Sequence, residues 1–386
     1  MESNLGFIDS EIRLMKFYDI YRRLRKQQLD KGYVIVDGKR AINLCSNDYL
    51  GLSHHRLIID EAVRSMKNVS PCSSRLVAGN SNEIMRLESL LARHRNTESS
   101  LVYPTGYTAV VGALTALANR DTVIFSDELN HASIIDGCRL SGAKICIFKH
   151  NDAAELCELM NKEKATRAVV VTEGVFSITG DIADLSAICK ISKEYKALTV
   201  VDDAHGDFIF GTGGSGIPSH LKVDNKVDLH ISSLSKGLGC FGGYVAGSDE
   251  IREFLINKSR QFIFTSALPE HICAASIKAL TLAKKGNLQK KLFDNIRAFK
   301  GWLSERAFDF GKSETQIIPL IMGQEKLASK FADMTLENGV FMYPMRYPTV
   351  KKGSSILRIS LTSSHTINQL INVVHIIEKV RRRIIQ

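Results

Sequence analysis

Lys236 lies in the run SSLSKGLG, just after the apolar stretch 227–231, and Asp202 ends a second apolar run, 197–201. An amine among small residues can hold an aldehyde cofactor as a Schiff base. A carboxylate at a strand end can keep a pyridine nitrogen protonated. Together they point to pyridoxal phosphate (PLP), an electron sink for negative charge at an amino-acid α-carbon. His205 stands three residues after Asp202, and His131 closes the stretch SDELNH that follows the apolar run 122–125. Either imidazole can hydrogen-bond to or stack on a planar ring. Ser232, Ser233 and Ser235 supply hydroxyls for a phosphate next to the lysine. Taken singly, each residue has an ordinary role as loop lysine, strand-end cap or core histidine. Their combination at the ends of apolar runs singles them out.

Eight stretches, in order along nearly the whole chain, resemble the α-oxoamine synthases, PLP enzymes of the fold-type-I aminotransferase class. They are SNDYLGLS (46–53), SSRLVAGN (73–80), PTGYTAVVGAL (104–114), SDELNHASIIDG (126–137), TEGVFSITGDIADL (172–185), VDDAHGDFIFGTGGSG (201–216), SLSKGLGCFGGYVAGS (233–248) and LRISLTSSHT (357–366). The resemblance implies that Lys236 carries the cofactor and moves the α-proton, and that Asp202 pairs with the ring nitrogen. Asp203 is the rival, but neighbouring strand residues face opposite ways. By the same resemblance His205 bonds the ring oxygen and His131 stacks on the ring. The phosphate falls to Ser233 and to Gly106 and Tyr107, which open an expected helix over 107–118 with free N–H groups. A hydroxyl from the other subunit, Thr265 or Ser266 in FTSALP, completes it. The implied assembly is a homodimer with the active site at the subunit interface. Arg358 is expected to pair with the amino-acid carboxylate, with Asn47 and Ser177 nearby. Ser354 stands where the family often has Thr. Arg22, or Arg23 after a one-residue shift, matches an arginine at the acyl-chain entrance. No metal is expected.

Within the family, SSRLVAGN, Ser235 before the lysine and the ending GGYVAGS match the branch that condenses L-alanine with a pimeloyl thioester in biotin synthesis, releasing carbon dioxide and a thiol. The acyl carrier, coenzyme A or a carrier protein, is left open. Cys72, Ser74 and Cys240 depart from the usual pattern. Condensation of glycine with an acetyl thioester is the nearer alternative. A non-catalytic basic scaffold of the same fold is the more distant one.

These residues need elements to position them. The β-branched runs TVIF (122–125), KICIF (144–148), AVVVT (168–172), LTVVD (198–202) and VDLHIS (227–232) alternate with helical stretches, the pattern of a parallel sheet covered on both faces. The expected fold is α/β, a fold-type-I transferase. Its mainly parallel large domain spans 46–285, with a smaller C-terminal α/β domain at 286–386. The segment 1–45 reads as an amphipathic helix over 5–30 and a hairpin over 34–44 around Asp37-Gly38. GTGGSG (211–216) and GLGCFG (237–242) both fit a dinucleotide fingerprint, but neither sits between a strand and a helix.

The 386 residues carry a formal net charge of +10, with 44% hydrophobic residues. That charge suits a polyanionic substrate, but no nucleic-acid-binding motif accompanies it. The basic runs RRLRK (22–26) and VRRRIIQ (380–386) read as solvated helix faces. No run approaches a membrane span, and MESNLGFIDSEIRLMK is not a signal peptide. The eight cysteines show neither CxxC nor zinc spacing, so reduced thiols and a cytoplasmic location are expected.

Overall fold

The computed structural model describes residues 5–18 and 20–385. Met1–Asn4, Asp19 and Gln386 belong to stretches read above and lie outside the described residues. The chain divides into two units. The larger spans 47–177 and 181–291, and the smaller takes 1–46, 178–180 and 292–386.

The larger unit is built on a seven-stranded sheet. From one edge the strands are Ser99–Tyr103, Gly243–Gly247, Leu229–Ser233, Leu198–Asp202, Ala168–Glu173, Val123–Asp127 and Lys144–Phe148. Only Gly243–Gly247 runs antiparallel to its neighbours. The mainly parallel sheet expected from the sequence is therefore present. Each of the five β-branched runs became a strand with its ends shifted by at most a few residues.

Alternation along these strands sorts side chains onto two faces. Val169, Val171, Val200, Leu229, Ile231 and Val245 join one apolar cluster, with helices Gly106–Leu117 and Ala132–Ser141. Val170, Phe125 and Phe148 join another, with helices Ala153–Glu163 and Leu185–Glu194. Burial of one such Val is worth about 1.5–3 kcal/mol. A one-residue slip of register would exchange the two sets and every polar group at the strand ends.

In the smaller unit, Gln27–Asp30, Tyr33–Val36, Lys39–Asn43 and Val340–Phe341 form one sheet. Ile317–Gly323, Ser355–Ser360 and Tyr343–Met345 form an antiparallel one. The hairpin at 34–44 turns at Asp37 and Gly38, both at positive φ (49° and 85°), as Asp-Gly turns favour. The parallel pairing of Val340 with Ile42 places the segment 1–45, read separately in the sequence, in one unit with the C-terminal residues. The helix expected over 5–30 is shorter. It spans Gly6–Phe17, and residues 27–30 instead pair with 33–36 through a turn at Lys31-Gly32. Strand pairing satisfies their backbone groups, which a helix end would leave open. The run 22–26 lies outside any helix or strand and is exposed, not a helix face.

Candidate functional site

Three strands of the larger unit end in polar residues on the face of the first apolar cluster: Glu173 after Val171, Asp202 after Val200 and Ser233 after Ile231. Glu173 and Asp202 are register partners on adjacent parallel strands. This is the C-terminal edge of the sheet, where open α/β folds place ligands.

Lys236 follows the third strand. Its Nζ lies 2.8 Å from Nε2 of His205. His205 Nδ1 lies 2.7 Å from the Tyr49 hydroxyl, which is 3.1 Å from Oδ1 of Asn47. Only one direction of donation satisfies every member. Lys236 donates to Nε2, Nδ1–H donates to Tyr49, and Tyr49 donates to the amide oxygen. The chain fixes the His205 tautomer and links Asn47 and Tyr49 of SNDYLGLS to the lysine loop. Tyr49 is fully buried and was not singled out in the sequence; its signal there is only its place two residues after Asn47.

His131 caps helix Ala132–Ser141, its Nδ1 accepting from the Ser133 N–H at 3.2 Å. The residue is partly exposed, while burial of part of the ring and the charge of Lys236 lower its pKa against the pull of Asp202 and Asp136. The imidazole is thus biased to the neutral form that stacking on a ring favours.

The helix expected over 107–118 spans Gly106–Leu117, one residue earlier. Thr105 caps it in a capping box with Thr108, leaving the N–H groups of Gly106 and Tyr107 at its mouth. A Cβ on Gly106 would come within 3.1 Å of Ser233 Cβ, and one on Gly243 would overlap Gly106. The helix therefore sits tightly against the lysine strand only because both are glycine. The Ser233 and Ser235 hydroxyls lie 2.8 Å apart beside it. The Tyr107 side chain turns outward to Asp136, at 2.5 Å. Ser177 donates its N–H to Glu173 Oε2 at 3.3 Å. Thr265 lies between helices Arg260–Ile263 and Glu270–Ala283; the latter is capped by Pro269, so Thr265 is no helix cap. Ser266 bridges to Ser74, and Ala267 donates to Ser73 O at 2.9 Å, pinning FTSALP against SSRLVAGN. Arg75 in that second segment is structural, making two hydrogen bonds to buried Glu88.

Asp203 points the other way, as alternation requires. Its Oδ2 accepts from Arg95 at 2.9 Å and from the Ile217 N–H at 3.0 Å. Arg95 also meets Tyr244 and Asp207, and Asp207 takes His94 at 2.9 Å and the Tyr244 hydroxyl at 2.5 Å. Burial opposes charge on Asp207, but Arg95 and His94 hold its pKa down, at about 2. Gly174, Gly206 and Gly216 surround Asp203, and a Cβ on any of them would overlap its carboxyl. The choice between the two aspartates is thereby physical: Asp203 is committed to a buried arginine, and Asp202 lies beside Glu173 and His131.

The remaining expected residues belong to the smaller unit. Arg358 lies in strand Ser355–Ser360, buried, with Nη1 2.8 Å from Ser360 Oγ. Burial raises the neighbouring Cys45 thiol to about 12, against the pull of Arg358, so Cys45 stays neutral. Ser354 is exposed in the turn before that strand. Arg22 donates to Thr349 Oγ1 at 3.1 Å, and Arg23 sits over the Tyr21 ring. Both line a cleft of about 660 Å³ with Arg25, Tyr343 and Arg346.

Residues 39–377 match the model of the aminotransferase class I and II family, and the chain belongs to that family. More narrowly, it is 40% identical to an 8-amino-7-oxononanoate synthase of Thermoanaerobacter pseudethanolicus, over 99% of this chain and 98% of that one. Among solved structures, a serine palmitoyltransferase variant from S. paucimobilis with bound PLP-myriocin aldimine superposes with a TM-score of 0.92 at 25% identity, over 98% of both chains. The 8-amino-7-oxononanoate synthase of Francisella tularensis superposes at 0.78 with 27% identity, over 90% of this chain and 99% of that one. The resemblance read from the eight motifs and the fold-type-I architecture are both borne out.

Proposed function

We propose that the chain is a PLP-dependent acyltransferase that condenses L-alanine with a pimeloyl thioester to give 8-amino-7-oxononanoate, carbon dioxide and the free thiol, a step of biotin biosynthesis. The observation that carries this reading is full-length identity of about 40% to an enzyme named for that product, joined to a strand-end site whose donors fit the cofactor. That fit is chemical. A primary amine stands beside an imidazole at 2.8 Å, a carboxylate ends the central strand, and a glycine-opened helix with two serine hydroxyls suits a phosphate.

Bound there, the PLP ring withdraws electrons from the α-carbon of the amino acid. Lys236 takes up and returns the α-proton, with His205 accepting a hydrogen bond from its amine. Asp202 holds the proton on the ring nitrogen. His131 covers a ring face, and Gly106, Tyr107 and Ser233 hold the phosphate. Arg358, a buried guanidinium already oriented by Ser360, has the chemistry for the alanine carboxylate. Arg22 and Arg23 have the charge for the distal carboxylate of the pimeloyl chain.

The active assembly is a homodimer in which Thr265 or Ser266 reaches the neighbouring subunit's phosphate. What supports this is a group of exposed apolar side chains on the motif loops, Leu76, Val77, Phe241 and Phe264. Loops 73–80 and 264–268 are joined directly, and Gly242 abuts Leu268. Contiguous exposed apolar residues of this kind mark association surfaces. The eight free cysteines fit a cytoplasmic setting.

The test is thiol release from pimeloyl and acetyl thioesters with alanine or glycine. Alanine with the pimeloyl donor is expected to be fastest. Faster turnover of glycine with the acetyl donor would assign the glycine C-acetyltransferase reaction instead. The absence of any PLP absorbance would leave only a scaffold. One methyl group discriminates by about 1–3 kcal/mol, so residual glycine turnover is expected.

A further inference from the structure

Glu173 is used by none of the roles above, yet it is 2% exposed and ends the strand beside Asp202, which is 8% exposed. The two side chains leave the same sheet face at the same register. Asp202 Oδ1 accepts from the Ala204 N–H at 3.1 Å. Glu173 Oε2 accepts from the Ser177 N–H at 3.3 Å, but its Oε1 is buried with no hydrogen-bond partner among the described residues. A bare carboxylate oxygen beside a second carboxylate combines a desolvated charge with like-charge repulsion. A single proton on Glu173 removes both costs, because an O–H at the orphaned oxygen can donate to Asp202.

We propose that Glu173 is a positioning residue, kept as a neutral carboxylic acid that donates to Asp202 while its other oxygen holds the backbone of Ser177. This rests on the PLP reading only for what Asp202 does. Burial and the charge of Asp202 push the Glu173 acid well above the usual carboxylate range. Lys236 and the N–H groups of Ser177 and His131 oppose this. The same side chain thus faces the backbone of two motif loops, those of His131 and Ser177. Donation from Glu173 stabilises the negative charge of Asp202, the charge a ring N–H needs.

The substitutions Glu173→Gln and Glu173→Ala separate the possibilities. Gln reproduces the acceptor and the donor without charge; Ala removes both. The infrared difference spectrum between native protein and E173Q, taken at neutral pH without cofactor, is expected to show the carbonyl stretch of a protonated carboxyl in the native chain alone. Its absence overturns the proposal. With PLP added, E173Q is expected to match the native dissociation constant and pH titration of the cofactor absorbance. E173A is expected to bind at least about tenfold more weakly, the scale of a lost hydrogen bond to a charged group. E173Q as impaired as E173A would mean that the ionised form is required, and a native-like E173A would mean no role; either overturns the proposal. If E173A does not fold, E173Q and the infrared band still decide. If the native chain takes up no PLP, the cofactor reading fails, while the infrared band still reports the Glu173 proton.

Discussion

Asp202 lies beside His131 and Glu173, whereas Asp203, the next residue, ends in a network of Arg95, Asp207, His94 and Tyr244 on the other face of the sheet. Both carboxylates are buried and both follow the same apolar run. What differs is what surrounds them. Asp203 has a guanidinium, a backbone N–H and three glycines that make room for its carboxyl. Asp202 has one backbone N–H and faces groups that exchange protons. The first arrangement pairs its carboxylates with a buried guanidinium, although Asp203 Oδ1 and Arg95 Nη2 have no hydrogen-bond partner among the described residues and burial pushes the Asp203 acid up to about 7 against the pull of Arg95. The second leaves capacity for a ligand. In this sheet the carboxylate paired with a buried guanidinium is structural, and the one beside Glu173 and His131 is left for chemistry.

The largest expected effect falls on the open side. Lys236→Ala should lower thiol release by at least about a hundredfold, the scale for loss of a positioned proton-transfer group. Borohydride reduction and peptide mapping should place the pyridoxyl group on Lys236. A label on another lysine would break the comparison at its root.

Next comes the closed side. Arg95→Met leaves Asp203 and Asp207 buried without their cation, and should cost about 3–5 kcal/mol in urea unfolding. Stability within about 1 kcal/mol of native would mean that the network is not a structural element.

The two aspartates can then be set against each other. Asp202→Asn should reduce turnover and PLP retention while leaving the unfolding midpoint of the cofactor-free chain in place. Asp203→Asn should lower that midpoint, by the equivalent of about 1–3 kcal/mol in unfolding free energy, and keep the cofactor absorbance. Equal behaviour of the pair would erase the distinction.

The smallest effect concerns pH. His150 spans two carboxylates, with Nδ1 3.1 Å from Asp127 and Nε2 2.8 Å from Asp181, and so ties the turn before His131 to the 181–184 segment. Burial disfavours its charge, but hydrogen bonds to Asp127 and Asp181 raise its pKa from 6.5 to about 9. Because the folded value lies above the unfolded one, this contribution is complete below pH 6.5 and disappears as pH rises through about 9. Native protein should therefore lose stability across that window, and His150→Gln should flatten the loss. Parallel native and variant curves would remove His150 from the account.

The strands were legible because continuous β-branched apolar runs are local signals, and the five runs became five adjacent strands of one sheet. The N-terminal segment was not. Leu14, Phe17, Tyr18, Tyr21 and Leu24 recur at helical spacing, yet the helix stops at Phe17 with none of its residues buried, and residues 27–30 pair as a strand. Lys236 and His205 were legible as types and were brought within hydrogen-bond distance by the fold. Tyr49 and Glu173 were passed over. Glu173 ends an apolar strand just as Asp202 does, and the same reading applied to every strand end would have found it.

By itself the sequence determined the α/β class, the family and the inventory of reactive side chains, since strand periodicity and motif order are properties of the chain alone. Tertiary structure decided which aspartate is committed to an arginine, and which carboxyls share a strand edge. It also decided which hydroxyl closes the path from Lys236 to Asn47. Those outcomes depend on register between strands and on partners far away in sequence, such as Arg95 for Asp203 and Tyr49 for His205. A carboxylate's pKa and role follow from the charges and N–H groups that the fold places around it, and no local pattern encodes them.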